Sequence, residues 1–133
     1  MKTFQVHTDG GSRGNPGPAA IGAVIESDGN VVHQLHQTIG VTTNNQAEYQ
    51  AVHAALQWCQ SQGATSVELF ADSELVVKQL RGEYKMKNKD LAQWFIRIQS
   101  LVNQIGRVTF TAIPREQNSA ADALVNHALD AAG

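Results

Sequence analysis

The chain has 133 residues, 42% of them hydrophobic and 17% charged, with a net charge of −2 and a single cysteine, Cys59. That length supports one core and one domain, residues 1–133, and one cysteine excludes an internal disulfide or a cysteine-rich zinc site. No apolar run approaches the ~20 residues that span a bilayer, and MKTFQVHTDG lacks an apolar leader, so a cytoplasmic protein without membrane contact is expected.

Lys2 to Thr8 alternates, with Phe4, Val6 and Thr8 on one side and Thr3, Gln5, His7 and Asp9 on the other, which predicts a strand with one core face. The strand ends on Asp9 and meets Gly10 to Gly17, four glycines and a proline in eight residues, where a bend is predicted. Glycine leaves backbone N–H groups uncovered, so a carboxylate beside them can hold a hard cation against a phosphate. The same residues also suit an ordinary turn carrying an exposed Asp. Ala19–Glu26 and Asn30–Ile39 read as two further strands joined at Ser27-Asp28-Gly29-Asn30, giving an antiparallel meander. Gly22 marks a bulge or a close approach.

A helix starts near Thr42–Asn45, with Thr43 and Gln46 or Asn45 and Glu48 as its capping pair, and stops at Gly63. Glu48, Val52, Ala55 and Cys59 share one row, so Glu48 heads an apolar stripe that faces the sheet, and Cys59 is expected to be a buried structural thiol. Ser66–Ala71 is a short strand ending in Asp72, and Ser73 opens a helix that Gly82 breaks. A right-handed crossover makes this strand parallel to the first, which brings Asp72 and Asp9 to the same end. Asn88 or Asp90 caps a third helix with the stripe Leu91, Trp94, Phe95, Ile98, Leu101, Val102 and Ile105. Arg107–Ile113 is the fifth strand, Pro114–Gln117 a loop, and Asn118 or Ser119 opens the last helix, whose buried face is Ala121, Leu124, Val125, Ala128 and Leu129. The order βββ-α-β-α-α-β-α specifies an α/β fold with helices packed on a mixed sheet.

Lys78, Arg81, Lys85, Lys87 and Lys89 lie within twelve residues opposed only by Glu83, so that segment carries +4 and the remainder −6. Such a patch contacts phosphates or is a solvated surface. Asp9, Glu48, Asp72 and Asp122 form a second pattern, since two end strands and two occupy first turns of helices that cover them. Each has a local alternative: Asp72 as the cap of the following helix, Glu48 boxed with Asn45, Asp122 boxed with Ser119. Gathered at one end of a sheet, they would repel and require cations, and oxygen ligands favour Mg2+ or Mn2+. Two such ions roughly 4 Å apart would suit phosphodiester hydrolysis.

The blocks TDGGSRGNPGPAAIG, TTNNQAEYQAVHAAL, FADSELVVKQL and IPREQNSAADALVNHA resemble, in order and spacing over nearly the whole chain, the four signature blocks of type 1 ribonuclease H. The resemblance implies a five-stranded mixed sheet of order 3-2-1-4-5 with helices on both faces. It implies endonucleolytic cleavage of the RNA strand of RNA/DNA hybrids, leaving 5′-phosphate and 3′-hydroxyl ends. Asp9, Glu48, Asp72 and Asp122 match the family's metal ligands. There, one ion on the equivalents of Asp9 and Asp122 activates water, and another on the equivalents of Asp9, Glu48 and Asp72 favours departure of the 3′-oxygen. No organic cofactor is implied. Backbone groups of Gly10, Gly11 and Ser12 and the side chains of Asn15, Asn44, Asn45 and Gln46 match minor-groove contacts, and Thr43 a phosphate pocket for the DNA strand. Asn44 and Asn45 also suit capping. Lys85, Lys87 and Lys89 become an auxiliary phosphate surface.

The chain departs from the family pattern in three places. The basic protrusion between the second and third helices is reduced to about residues 82–88, no hybrid-binding domain is expected ahead of Met1, and no histidine occurs from Pro114 to Ala121, where Arg115 or Glu116 would serve instead. His127 is expected at the surface, and His7, His33, His36, His53, Trp58 and Trp94 read as structural. Competing readings are an inactive hybrid-binding module, a mononucleotide loop and a related exonuclease. The second lacks G-x-x-x-x-G-K-[ST] and G-x-G-x-x-G, and Asn44-Asn45-Gln46 favours the hybrid enzyme over the third. A monomer is the default.

Overall fold

The computed structural model describes residues 2–132, so the expectation about what precedes Met1 falls outside it. The elements are β1 (Thr3–Ser12), β2 (Gly17–Ser27), β3 (Asn30–Thr42), α1 (Asn44–Ser61), β4 (Ser66–Ala71), α2 (Glu74–Leu80), α3 (Lys89–Ile105), β5 (Arg107–Ala112) and α4 (Ser119–Ala132). The sheet order is β3-β2-β1-β4-β5. β1, β2 and β3 pair antiparallel, while β1–β4 and β4–β5 are parallel. The predicted topology is therefore present, and a 3₁₀ turn at Arg115–Gln117 replaces the expected loop ahead of α4.

One boundary differs in a way that matters for the site. Asp9 does not end its strand. β1 leaves β4 at His7↔Phe70 but continues beside β2 to Ser12↔Ala19. The first two glycines stay extended because β2 still supplies ladder partners. The bend is confined to the residues after Ser12 and is closed by Arg13 N–H donating to Pro18 O at 2.8 Å. β1 thus overhangs β4, and Asp9 sits on the overhang.

Alternation along β1 separates two packing faces. Phe4 and Val6 join Ala23, Ile25, Tyr49, Val52, Leu56, Ile98 and Phe110 in the main core under α1 and α3. The other face holds a small cluster, Ala20 with Val125, Ala128 and Leu129 of α4. Two glycines allow these helices to sit so low. A Cβ on Gly10 would lie 2.2 Å from Ala47 O of α1, and one on Gly22 would lie 2.6 Å from Ala121 O of α4. Gly22 therefore marks close packing, whereas the register shifts of β2 fall at Ala19/Ala20 and Ile25/Glu26.

The starts of α1, α2 and α3 resolve their capping alternatives. Thr43 Oγ1 accepts from Gln46 N–H at 3.2 Å, Ser73 Oγ from Val76 N–H at 3.3 Å, and Asn88 Oδ1 from Asp90 N–H at 2.8 Å. Trp58 packs edge-on to Phe4 and stacks with His33, and Trp94 meets His53, so both indoles border the core. Cys59 is fully buried, which pushes its thiol up to about 12. No helix among the described residues is long and apolar enough to cross a membrane.

Candidate active site

The end of β4 leaves one side of β1 open, and three elements converge there. Asp9 projects from the overhang, Asp72 follows the last residue of β4, and Glu48 arrives from the first turns of α1. Carboxylate oxygens of Asp9, Glu48 and Asp72 all lie within 4.8 Å of one another. Glu48 is not boxed with Asn45; its Oε1 accepts from Gly10 N–H at 3.1 Å. The close approach of α1 to Gly10 thus places the Glu48 carboxylate. Asp72 does not cap α2, because Ser73 does, and its Oδ2 accepts from Asn118 Nδ2 at 2.9 Å. Asp122 stands slightly apart on α4, half-exposed, 3.4 Å from Asn126 Nδ2 and 3.9 Å from Arg115.

Burial and mutual repulsion control the electrostatics. Desolvation raises Asp9 from 3.8 to about 7; the neighbouring Glu48 carboxyl partly opposes this as a hydrogen-bond partner, and the charges of Asp72 and Asp122 add to it. Glu48 is raised well above its ordinary value, first by burial and then by the Asp9 charge, against the pull of the Gly10 N–H. Among the described residues no Lys or Arg pairs with Asp9, Glu48 or Asp72. Three crowded carboxylates without a protein cation, all oxygen donors, fit hard divalent ions such as magnesium or manganese.

The cluster floors an open cavity of about 430 Å³. Gly10, Gly11, Ser12, Asn44, Asn45, Arg115 and Asp122 also line it, whereas Asn15, Thr43, Gln46, Glu116, Lys85, Lys87 and Lys89 do not. Asn15 and Asn44 instead stitch the glycine-rich bend to α1. Asn44 Oδ1 accepts from Ser12 N–H at 2.9 Å, and Asn15 Oδ1 accepts from Asn44 N–H at 3.1 Å. The basic segment is weaker than its formal charge, since Lys78 pairs with Glu74 and Arg81 with Glu83, each at 2.8 Å. Lys85, Lys87 and Lys89 are exposed and have no carboxylate partner among the described residues.

Sequence reasoning passed over Arg13, Ser73 and Asn126, which line the cavity, and Asn118, which is buried behind it. Asn118 carries in sequence only the signal of a helix start, so nothing local distinguishes it.

A family model described as reverse transcriptase-like matches residues 7–128. The bifunctional protein Rv2228c of Mycobacterium tuberculosis is 43% identical over 129 residues, covering 96% of this chain and 35% of that protein. Ribonuclease HI of Halobacterium salinarum is 47% identical over 123 residues, covering 92% of this chain and 62% of its own length. The chain therefore spans less than two thirds of either relative. The solved structure of LC11-RNase H1 in complex with an RNA/DNA hybrid is 44% identical, with a TM-score of 0.93 over 97% of this chain and 98% of that one.

Proposed function

The chain belongs to the type 1 ribonuclease H family, and on that basis we propose that it is an endoribonuclease that hydrolyses the RNA strand of RNA/DNA hybrids. It acts as a single domain and as a monomer, and leaves 5′-phosphate and 3′-hydroxyl ends. The observation that carries this reading is the convergence of Asp9, Glu48 and Asp72 within 4.8 Å, with Asp122 lining the same cavity close enough to act on Asp9.

Asp9, Glu48, Asp72 and Asp122 are the catalytic residues and would hold two magnesium or manganese ions. When bound, such ions supply Lewis-acid chemistry that lowers the pKa of a water and stabilises a leaving oxygen. The carboxylates' own task is to present negative charge at fixed positions. Because burial raises Asp9 and Glu48, they must release protons as cations enter, so metal affinity rises with pH.

The hybrid's minor groove lies along the rim. Gly10, Gly11 and Ser12 offer close backbone. Asn15 and Asn44 spend their carbonyl oxygens on the fold, which leaves their amide N–H groups to donate to 2′-hydroxyls, with Asn45 and Gln46 beside them. Thr43 uses its oxygen as a cap acceptor and keeps its O–H for a DNA-strand phosphate. Arg115 or Glu116 takes the place of a loop histidine near Asp122, and Lys85, Lys87 and Lys89 add phosphate contacts.

The test is cleavage of one end-labelled RNA, presented as hybrid, as duplex RNA and as single strand, with Mg2+, Mn2+ or EDTA. Internal cuts in the hybrid that need metal and fall at least about 100-fold in Asp9→Asn are expected. Hybrid binding without cleavage under either metal would overturn the nuclease reading in favour of a binding module.

A further inference from the structure

Asn118 opens α4, yet its side chain does not do what an Asn at a helix start usually does. A capping Asn turns its carbonyl oxygen onto the first free N–H groups of the helix. Here the amide points back into the sheet. Nδ2 donates to Thr8 O at 2.8 Å and to Asp72 Oδ2 at 2.9 Å. Both partners are acceptors, so the orientation of the amide is unambiguous: turned over, it would set oxygen against oxygen. The backbone carbonyl of Asn118 accepts from Asp122 N–H at 3.1 Å. The residue is 1% exposed, and Oδ1 is buried with no donor among the described residues.

One side chain therefore ties the residue before Asp9 to the Asp72 carboxylate, while its main chain begins the turn that carries Asp122. An orphaned buried acceptor is unfavourable. A role confined to starting the helix would be better served by aiming Oδ1 at the free N–H groups. We propose that Asn118 is a positioning residue that sets the spacing of Asp9, Asp72 and Asp122, and through that spacing the affinity of the site for divalent cations. This rests on the metal-dependent reading above, but touches neither substrate nor the reacting atoms.

The test compares wild type with Asn118→Ala and Asn118→Ser by Mn2+ binding, followed by electron paramagnetic resonance or calorimetry without nucleic acid, and by thermal unfolding in EDTA. Asn118→Ala is expected to weaken Mn2+ binding about 10–100-fold. Asn118→Ser can reach at most one of the two acceptors and should fall between. With hybrid, kcat at fixed metal should drop while KM stays near the wild-type value, since a buried residue cannot meet the duplex. Asn118→Ser keeps the test open if Asn118→Ala does not fold. Wild-type Mn2+ affinity in the folded variants would overturn the proposal. Because affinity is read without substrate, a wild type that binds Mn2+ yet leaves the hybrid intact sinks the nuclease reading, and the affinity series still decides this one.

Discussion

The two faces of the sheet each deliver a helix to the acidic cavity, and they hold it differently. On the α1 face a continuous core runs from Phe4 and Val6 through Leu56, Val67, Ile98 and Phe110. Glu48, at the end of that core, is 7% exposed and fixed by the Gly10 N–H. On the α4 face the buried cluster is Ala20, Val125, Ala128 and Leu129, and Asp122 is half-exposed with only long polar contacts. Apolar area makes the first wall rigid. The second has little buried apolar area behind it, which would suit the cations and the nucleic-acid strand proposed for the site.

The largest expected effect lies where the faces meet. Burial raises Asp9 from 3.8 to about 7, so without metal the folded state holds a proton that the unfolded chain has released. The stabilisation is full below pH 3.8 and is lost as pH rises through about 7, by on the order of 4 kcal/mol. In EDTA the thermal midpoint of wild type should fall between pH 5 and 8 more steeply than that of Asp9→Asn. His53, lowered by burial and then by Arg97, acts in the opposite sense and cancels in the difference. Mg2+ should restore the wild type alone. Parallel pH curves for the two proteins would remove Asp9 from the account.

Next comes the core itself. Leu56→Ala on the α1 face should cost about 2–5 kcal/mol in denaturant unfolding, against about 1–2 kcal/mol for Val125→Ala on the α4 face. Equal losses would erase the difference between the walls. Gly22→Ala separates stability from placement. Its new Cβ would meet Ala121 O at 2.6 Å, so α4 must lift. A loss of about 1–3 kcal/mol should come with a fall in kcat as Asp122 moves, whereas Leu56→Ala should leave kcat unchanged below its midpoint. The smallest effect on folding and kcat is expected away from both faces. Replacing Lys85, Lys87 and Lys89 with Ala should lower the slope of log hybrid affinity against log salt by up to about 3, one per lost phosphate contact. An unchanged slope would mean that the segment is solvated surface.

The elements whose signals are local were legible in the chain. Alternation in residues 2–8, the stripe of α3, and the glycines after α1 and α3 each depend on residues a few positions apart. The addresses of Glu48, Asp72 and Asp122 along their elements were legible as well, because the end of β4 and the first turns of α1 and α4 are local features, whereas Asp9 stands inside β1 and not at its end. The misplaced end of β1 shows the limit of such reading. Gly10 and Gly11 carry the composition of a bend, and they stay extended only because β2 pairs with them.

Periodicity and capping chemistry were therefore enough to specify which elements form and roughly where each carboxylate stands along them. They could not specify how those carboxylates are held. Glu48 is fixed by an N–H 38 positions away, and Asn118 by a carbonyl 110 positions away. A contact across that separation leaves no trace in local spacing. It exists because Gly10 and Gly22 let two helices settle against opposite sides of one overhanging strand pair, and that arrangement arises only when the whole sheet has closed.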